Sequence, residues 1–290
     1  MFLATAVVAC MHLIPVQSTG SDGEFSLGVL PQATAAEVAD PDYQIKLRLD
    51  SSVVDSDGGV TESAREQLQA GTLQKVEAVA YVDTPDRALA AHGWTVRVKR
   101  SQEENSCELT FKKRFPLSAS GEQALAKESV NQVLRLARER NFDSSDKNYD
   151  AQINTSFYTS TVDFSNKKET SCSLPFPAEK EALQKVNELL PGKLEKELGG
   201  EEAASHILRN LAMSNVVIQR TWPIEVAGYT SDLEVTEMNN SYFVELSEKD
   251  SSRKDAVEKR EKIINRLQQL ELLREQDAFK TSMVLDGKWD

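Results

Sequence analysis

Basic side chains recur at every second position in two short segments near the middle of the chain. In residues 95–99 these positions carry Arg97 and Lys99, and in residues 108–113 one of them carries Lys112. Side chains of a β-strand alternate between its two faces, so the three cations share one face if the segments are neighbouring strands. This spacing suits contacts with a polyanion, and it equally suits the solvated face of an open sheet.

The first predicted strand, residues 43–49, has the same alternation. Its apolar face carries Ile45, Leu47 and Leu49. Its polar face carries, in chain order, Asp42, Gln44, Lys46 and Arg48. Two further cations are thereby placed on one face of a strand, where they can join those of the central segments.

The overall charge of the chain limits the class of partner. The 290 residues carry a net charge of −12 and have a sequence pI near 4.9, whereas nucleic-acid binding depends on bulk positive potential. We therefore expect no nucleic-acid partner, and any anion site must be local. A hydrophobic content of 40% supports a packed core.

An apolar run covers residues 2–16 and is followed by small polar residues. It is short for a membrane span and resembles a secretory signal, so we predict a signal peptide over residues 1–20, a linker over 21–40, and secretion. A buried N-terminal segment is the alternative. Beyond this run two cysteines remain, Cys107 and Cys172, which can pair in an oxidising compartment, although the spacing does not fix a pairing. No later stretch has the length of a membrane helix, so we expect no membrane contact after signal removal.

Periodicity predicts alternating groups of strands and helices along the rest of the chain. Strands are predicted over 77–83, 95–99, 108–113, 215–226, 231–237 and 242–247, with a strand or hairpin over 153–164. Helices are predicted over 61–70, 121–140, 178–198, 201–213 and 253–280. The class is therefore α+β.

Three motifs in residues 77–114 resemble the triphosphate tunnel metalloenzymes, also called the CYTH domain after class IV adenylate cyclase and thiamine triphosphatase. They are Tyr-Val-Asp-Thr-Pro at 81–85, Gly-Trp-Thr-Val-Arg-Val-Lys-Arg at 93–100 and Glu-Leu-Thr-Phe-Lys at 108–112. The resemblance implies an antiparallel barrel of about eight strands with covering helices. It would occupy residues 41–285 as one domain, with helical insertions around 121–213.

The resemblance also implies that the polar interior of the barrel binds a small anionic phosphate ligand. The side chains that would contact phosphate are Lys46, Arg48, Arg97, Lys99, Lys112 and Arg220. Arginine pairs bidentately with phosphate oxygens and lysine acts as a point charge, so the mixture suits a phosphate chain.

The metal half of such a site departs from the family pattern. The family's first strand carries Glu-x-Glu-x-Lys, but the aligned residues here are Asp42, Gln44 and Lys46, and one acid of a late pair is replaced by Ser247. A hard cation such as Mg²⁺ or Mn²⁺ prefers carboxylate oxygen to an amide. We expect Asp42 and Glu245 to be the metal ligands. Weaker candidates are Gln44, Glu225 and Glu234.

These residues predict a metal-dependent triphosphatase that hydrolyses tripolyphosphate or an organic triphosphate, with no catalytic base assigned. One alternative is a tunnel protein that binds polyphosphate or a phosphorylated ligand without turnover. Another is a secreted β-barrel carrier or interaction protein. The sequence has no Gly-rich phosphate loop, no nucleophile elbow and no His or Cys metal spacing.

Overall fold

Ten strands form a single sheet in the computed structural model, which describes residues 37–277 and 279–288. The predicted signal peptide and nearly all of the predicted linker lie outside the described residues. The strands are β1 (Asp42–Leu49), β2 (Lys75–Asp83), β3 (Trp94–Ser101), β4 (Ser106–Pro116), β5 (Asp150–Thr155), β6 (Ser160–Ser171), β7 (Ala212–Met213), β8 (Val217–Val226), β9 (Tyr229–Met238) and β10 (Ser241–Asp250).

The sheet closes into a barrel. Its order is β3-β4-β6-β5-β1-β10-β9-β8-β2, and β2 pairs back to β3, while the short β7 adds to β2 beside β8. The described ring therefore has nine strands rather than the expected eight. An odd ring cannot be antiparallel throughout, and the exception is the parallel pair β1–β5. The predicted tunnel fold of class α+β is confirmed.

Helices cover the apolar outer face of the barrel. Ile45 and Leu47 of β1 and Val96 and Val98 of β3 are at most 1% exposed. Burying a side chain of this size contributes roughly 1.5–3 kcal/mol. The helices are α1 (Glu62–Gln67), α2 (Ala88–Ala91), α3 (Lys127–Glu139), α4 (Glu179–Glu188), α5 (Gly192–Glu197), α6 (Glu201–Leu208), α7 (Arg253–Gln269) and α8 (Lys280–Asp286). Of these described helices, none has the length and hydropathy needed to cross a membrane.

Several predicted helices are divided in the structure. The helix predicted over 178–198 breaks at Pro191, whose extended backbone starts α5. The helix predicted over 201–213 ends at Leu208, and Ala212–Met213 pairs with β2 instead. The helix predicted over 253–280 ends at Gln269, after which Leu273 bridges to Leu49 on β1.

Helix α8 lies against inward-facing side chains at one end of the barrel. Its Val284 is 2% exposed and belongs to a small apolar cluster. The barrel residues of that cluster are Val79, Tyr81, Val217, Met238 and Phe243. An ion pair of 2.7 Å between Arg87 and Asp286 also ties α8 to the segment before α2. Helix α8 therefore packs against β2, β8, β9 and β10 at one end of the barrel.

A disulfide joins Cys107 on β4 to Cys172 just after β6. These strands are neighbours in the barrel, and Cys107 lies opposite Thr170. The two cysteines left open by the sequence thus pair with each other.

Candidate functional site

The interior of the barrel is a cavity of about 1100 Å³ lined mainly by polar side chains. Four of the six predicted phosphate contacts line it, namely Lys46, Arg97, Lys99 and Lys112. They come from β1, β3 and β4, and strand alternation turns them inward while their apolar neighbours pack under the helices. The basic side chains converge in one cavity and do not spread over an open face.

Arg220 is the clearest exception to the predicted set. Strand β8 turns Gln219 and Thr221 into the cavity, so Arg220 points outward and bonds Glu237 at 2.8 Å. Its guanidinium lies against Gly58. A Cβ added at this glycine would be 2.8 Å from Nη1, so a larger residue would crowd the arginine. Arg220 shares its face with the buried Trp222 and Ile224, which pack under the helices, so the prediction that Arg220 faces the tunnel was wrong.

Arg48 is also absent from the cavity lining. It is 8% exposed, and its guanidinium carbon lies 5.1 Å from the centroid of the Phe243 ring. On the inner face of β1, Lys46 therefore lines the cavity. Arg48 packs instead against Phe243, at the end of the barrel where α8 lies.

Five cations that were absent from the predicted set line the cavity: Lys75, Lys167 and Lys249 near its mouth, and Arg114 and Lys280 further in. Arg114 follows Lys112 on the inward row of β4, so alternation alone could have included it. Lys280 comes from the first residue of α8, and no sequence pattern indicated it because the predicted helix ran through that position.

Lys112 and Arg114 share the buried carboxylate of Asp163 on β6. Lys112 Nζ lies 3.3 Å from Oδ2, and Arg114 donates bidentately through Nε and Nη2, each at 3.0 Å. Burial raises the pKa of Asp163, but Arg114 and Lys112 outweigh it, so the pKa falls below its usual range. Burial lowers the pKa of Lys112 to about 8, despite the attraction of Asp163.

A second group of charges lies on β2, β3 and β4. Arg97 Nη2 lies 3.0 Å from Glu108 Oε1, and Lys99 Nζ lies 3.1 Å from Glu77 and 3.6 Å from Glu108. Burial raises the pKa of Glu108, but the two cations outweigh it and the net shift is downward. Each of these cations therefore has a carboxylate partner.

A third group joins β1, β9, β10 and α8. Glu234 and Glu245 are directly opposite each other across the β9–β10 pair, an arrangement that is unfavourable for two carboxylates alone. Lys280 Nζ lies 2.9 Å from Glu234 and 3.8 Å from Glu245, and Lys46 Nζ lies 2.7 Å from Glu245. Burial raises the pKa of Glu234, but Lys280 dominates and lowers it to about 2. Burial opposes the charge of Lys280, but Glu234 and Glu245 raise its pKa above the usual value.

The charges of the lining are unevenly placed along the cavity. Among the described residues, nine lysines and arginines and nine carboxylates line it. Five of the acids lie where β1, β5 and β9 begin or β10 ends, at the mouth remote from α8. They are Asp40, Asp42, Asp150, Asp232 and Asp250. Three lysines, Lys75, Lys167 and Lys249, lie at the same mouth, so five acids there face three cations, whereas six cations further in face four lining acids and the buried Asp163.

The predicted metal ligands are not brought together. Antiparallel register places Arg48 of β1 beside Glu245, so Asp42 is six residues away along the strand, or roughly 20 Å. Gln44 Nε2 donates to Ser247 Oγ at 2.6 Å, and Glu225 lies outside the cavity lining and accepts from the Thr230 hydroxyl. Glu234 does line the cavity, paired with Lys280.

The described residues do not fit the divalent metal that the resemblance implies. Within the part of the chain that the structure describes, no three His, Cys, Asp or Glu side chains are grouped to hold a metal ion. The inner carboxylates Glu245 and Glu234 already form ion pairs with the ammonium groups of Lys46 and Lys280.

Comparison with known proteins gives structural similarity only. No protein-family model matches the chain, and no curated protein is similar to it in sequence. A solved Hippeastrum protein, described as an adenylyl cyclase homologue with a dominant triphosphatase activity, is 14% identical, with 85% of this chain and 96% of that chain covered and a TM-score of 0.46. A Bacillus halodurans protein described as an adenylate cyclase is 11% identical, with 86% and 98% covered and a TM-score of 0.45.

A third solved structure, from Vibrio parahaemolyticus and also described as an adenylate cyclase, is 9% identical, with 85% and 99% covered and a TM-score of 0.39. At these identities and TM-scores, the comparisons carry no argument about activity.

Proposed function

We propose that the tunnel binds the phosphate chain of tripolyphosphate or of an organic triphosphate. The observation that carries the proposal is the convergence of six cations on one inner cavity. They are Lys46, Arg97, Lys99, Lys112, Arg114 and Lys280. They come from four separate elements, so only the closed barrel brings them together.

The chemistry of these cations suits a chain of phosphates. Arg97 and Arg114 can each offer two parallel N–H donors to phosphate oxygens, and the lysines can follow the remaining charge as point cations. A confined group of like charges is costly unless an anion or carboxylates compensate it. In the free protein Glu77, Glu108 and Asp163 supply that compensation, and the ligand would take over part of it.

Calorimetric titration with tripolyphosphate tests the proposal. Arg97→Ala and Lys112→Ala each remove one charged contact, so we expect each to weaken binding at least tenfold, equivalent to about 1.4 kcal/mol. Arg220→Ala is the matched control, because this arginine lies outside the tunnel; it should change the affinity less than twofold. No binding by the wild-type protein would contradict the proposal, and equal affinities in all four proteins would show that tripolyphosphate binds outside the tunnel.

Hydrolysis of the bound anhydride is the second candidate function. The observation in its favour is the Glu234–Glu245 pair, which places two carboxylates in the same wall as Lys46 and Lys280. Phosphate release should be measured with tripolyphosphate, nucleoside triphosphates and thiamine triphosphate, in Mg²⁺, Mn²⁺ and EDTA. Tight binding without release in any condition would leave the binding function alone.

We also propose that the protein resides in the secretory pathway or outside the cell. The Cys107–Cys172 disulfide supports this, because such bonds persist in oxidising compartments. Mass spectrometry of protein isolated from the secreted fraction, with thiols blocked beforehand, would test it. A reduced Cys107–Cys172 pair in native material would contradict it.

A further inference from the structure

A neutral hydrogen-bonded pair, Gln44 with Ser247, lies in the tunnel wall where the resemblance implies two acids. We infer that this tunnel binds its phosphate ligand without a divalent metal, and that the ammonium groups of Lys46 and Lys280 supply the charge instead. The inference rests on the proposed function, since it concerns how the same ligand is held.

The two replaced positions satisfy each other. Gln44 is 8% exposed and Ser247 is 4% exposed, and the Gln44 amide donates to the Ser247 hydroxyl at 2.6 Å. A buried polar pair of this kind is stable without any ion, whereas two buried carboxylates at the same positions would require a cation. Gln44 and Ser247, where the family has acids, therefore both remove the need for a cation, and the two side chains contact each other.

The remaining inner carboxylates already have cationic partners. Glu245 bonds Lys46 at 2.7 Å, and Glu234 bonds Lys280 at 2.9 Å. Two ammonium groups carry the charge of one divalent ion, and because they are covalently attached they are present at any metal concentration. Mg²⁺ loses its water reluctantly and would have to displace both lysines from the carboxylates.

The same lysines can serve a ligand. Their side chains are 25% and 13% exposed, respectively, and both line the cavity. A phosphate oxygen is an acceptor comparable to the carboxylate oxygen that each lysine now contacts. Either lysine can thus share its donors between the wall and the ligand without a metal bridge.

Calorimetry of the wild-type protein with tripolyphosphate decides the question, in EDTA and in millimolar MgCl₂, with free tripolyphosphate corrected for Mg²⁺ chelation. We expect the dissociation constant in EDTA to lie within threefold of that in Mg²⁺. Binding at least tenfold tighter in Mg²⁺ would overturn the inference while leaving the proposed function intact. No binding in either buffer would contradict the proposed function itself.

A variant provides the reciprocal test. Gln44→Glu with Ser247→Glu should create a metal requirement, seen as at least tenfold tighter tripolyphosphate binding in Mg²⁺ and as Mn²⁺ binding by electron paramagnetic resonance without phosphate. Gln152→Glu with Ser165→Glu is the matched control, because both residues line the same cavity on β5 and β6. Wild-type protein should bind no Mn²⁺ at micromolar concentration. Micromolar Mn²⁺ binding by the wild type, or equal gains in both variants, would count against the inference.

Discussion

Lys112 is the tunnel cation whose charge is most sensitive to pH near neutrality. Burial lowers its pKa to about 8, from an ordinary 10.5, although Asp163 partly restores it. An ammonium that loses its proton just above neutral pH stops attracting phosphate. We therefore expect tripolyphosphate affinity to fall between pH 7 and pH 9.5, measured by calorimetry.

Lys112→Arg is the control for this pH dependence, because a guanidinium stays charged throughout the range. The ligand's own titration is common to both proteins, so the difference between their pH profiles isolates Lys112. Parallel profiles would show that Lys112 does not titrate in this range. For stability the sign is opposite: between pH 8 and 10.5 the unfolded chain holds a proton that the folded chain has lost, so this residue adds stability as pH rises.

Single residues also show how far sequence patterns reach. Lys46, Arg97, Lys99 and Lys112 were placed correctly on the inner face, because strand alternation depends only on local geometry. Arg220 was placed on the wrong face, since its placement followed the family motif and not the alternation of Trp222, Ile224 and Val226, which puts it on the apolar outer face. Some carboxylate partners, such as Glu245 for Lys46 and Asp163 for Lys112, lie on strands far apart in sequence and could not be predicted.

At the scale of elements, α8 has the strongest effect on the site. Its Val284 packs against barrel strands at one end, and its Lys280 forms an ion pair with Glu234. Neither role was predicted, because the pattern over 253–280 favours one continuous helix and the break after Gln269 depends on tertiary contacts with β1. The strands were easier to predict than the helices, since each strand has one apolar face fixed by the covering layer.

The packing of α8 gives a stability prediction. Val284→Ala removes two methyl groups from a buried contact, so we expect the free energy of unfolding to fall by about 1–3 kcal/mol in urea titrations. Ser282→Ala on the exposed side of the same helix should change it by less than about 0.5 kcal/mol. Equal effects of the two substitutions would indicate that α8 does not pack into the barrel in solution.

At the scale of the whole molecule, the number of strands and the charge distribution were the least predictable features. The ninth strand of the ring and the parallel pair β1–β5 come from how distant segments meet, and no local pattern encodes that. The net charge of −12 argues against a nucleic-acid surface but does not reveal that acids outnumber lysines at the mouth of the tunnel while cations outnumber acids further in.

This charge distribution predicts opposite effects of salt on rate and affinity. Salt screens the repulsion between a polyanion and the acidic mouth, so the association rate should rise with ionic strength. Salt also screens the attraction inside, so the affinity should fall. Stopped-flow fluorescence from 20 to 300 mM NaCl would measure the rate, and Asp40→Asn with Asp232→Asn should flatten its dependence. A wild-type rate that falls with salt would contradict this account.

Helix α8 packs against four strands at one end of the barrel and narrows the way out for a long polymer. A ligand that cannot pass through must insert by one terminus, and everything beyond the first few units stays outside the protein. Chain length should then matter up to the depth of the tunnel and little beyond it, so that the protein would recognise the end of a polyphosphate and not its middle.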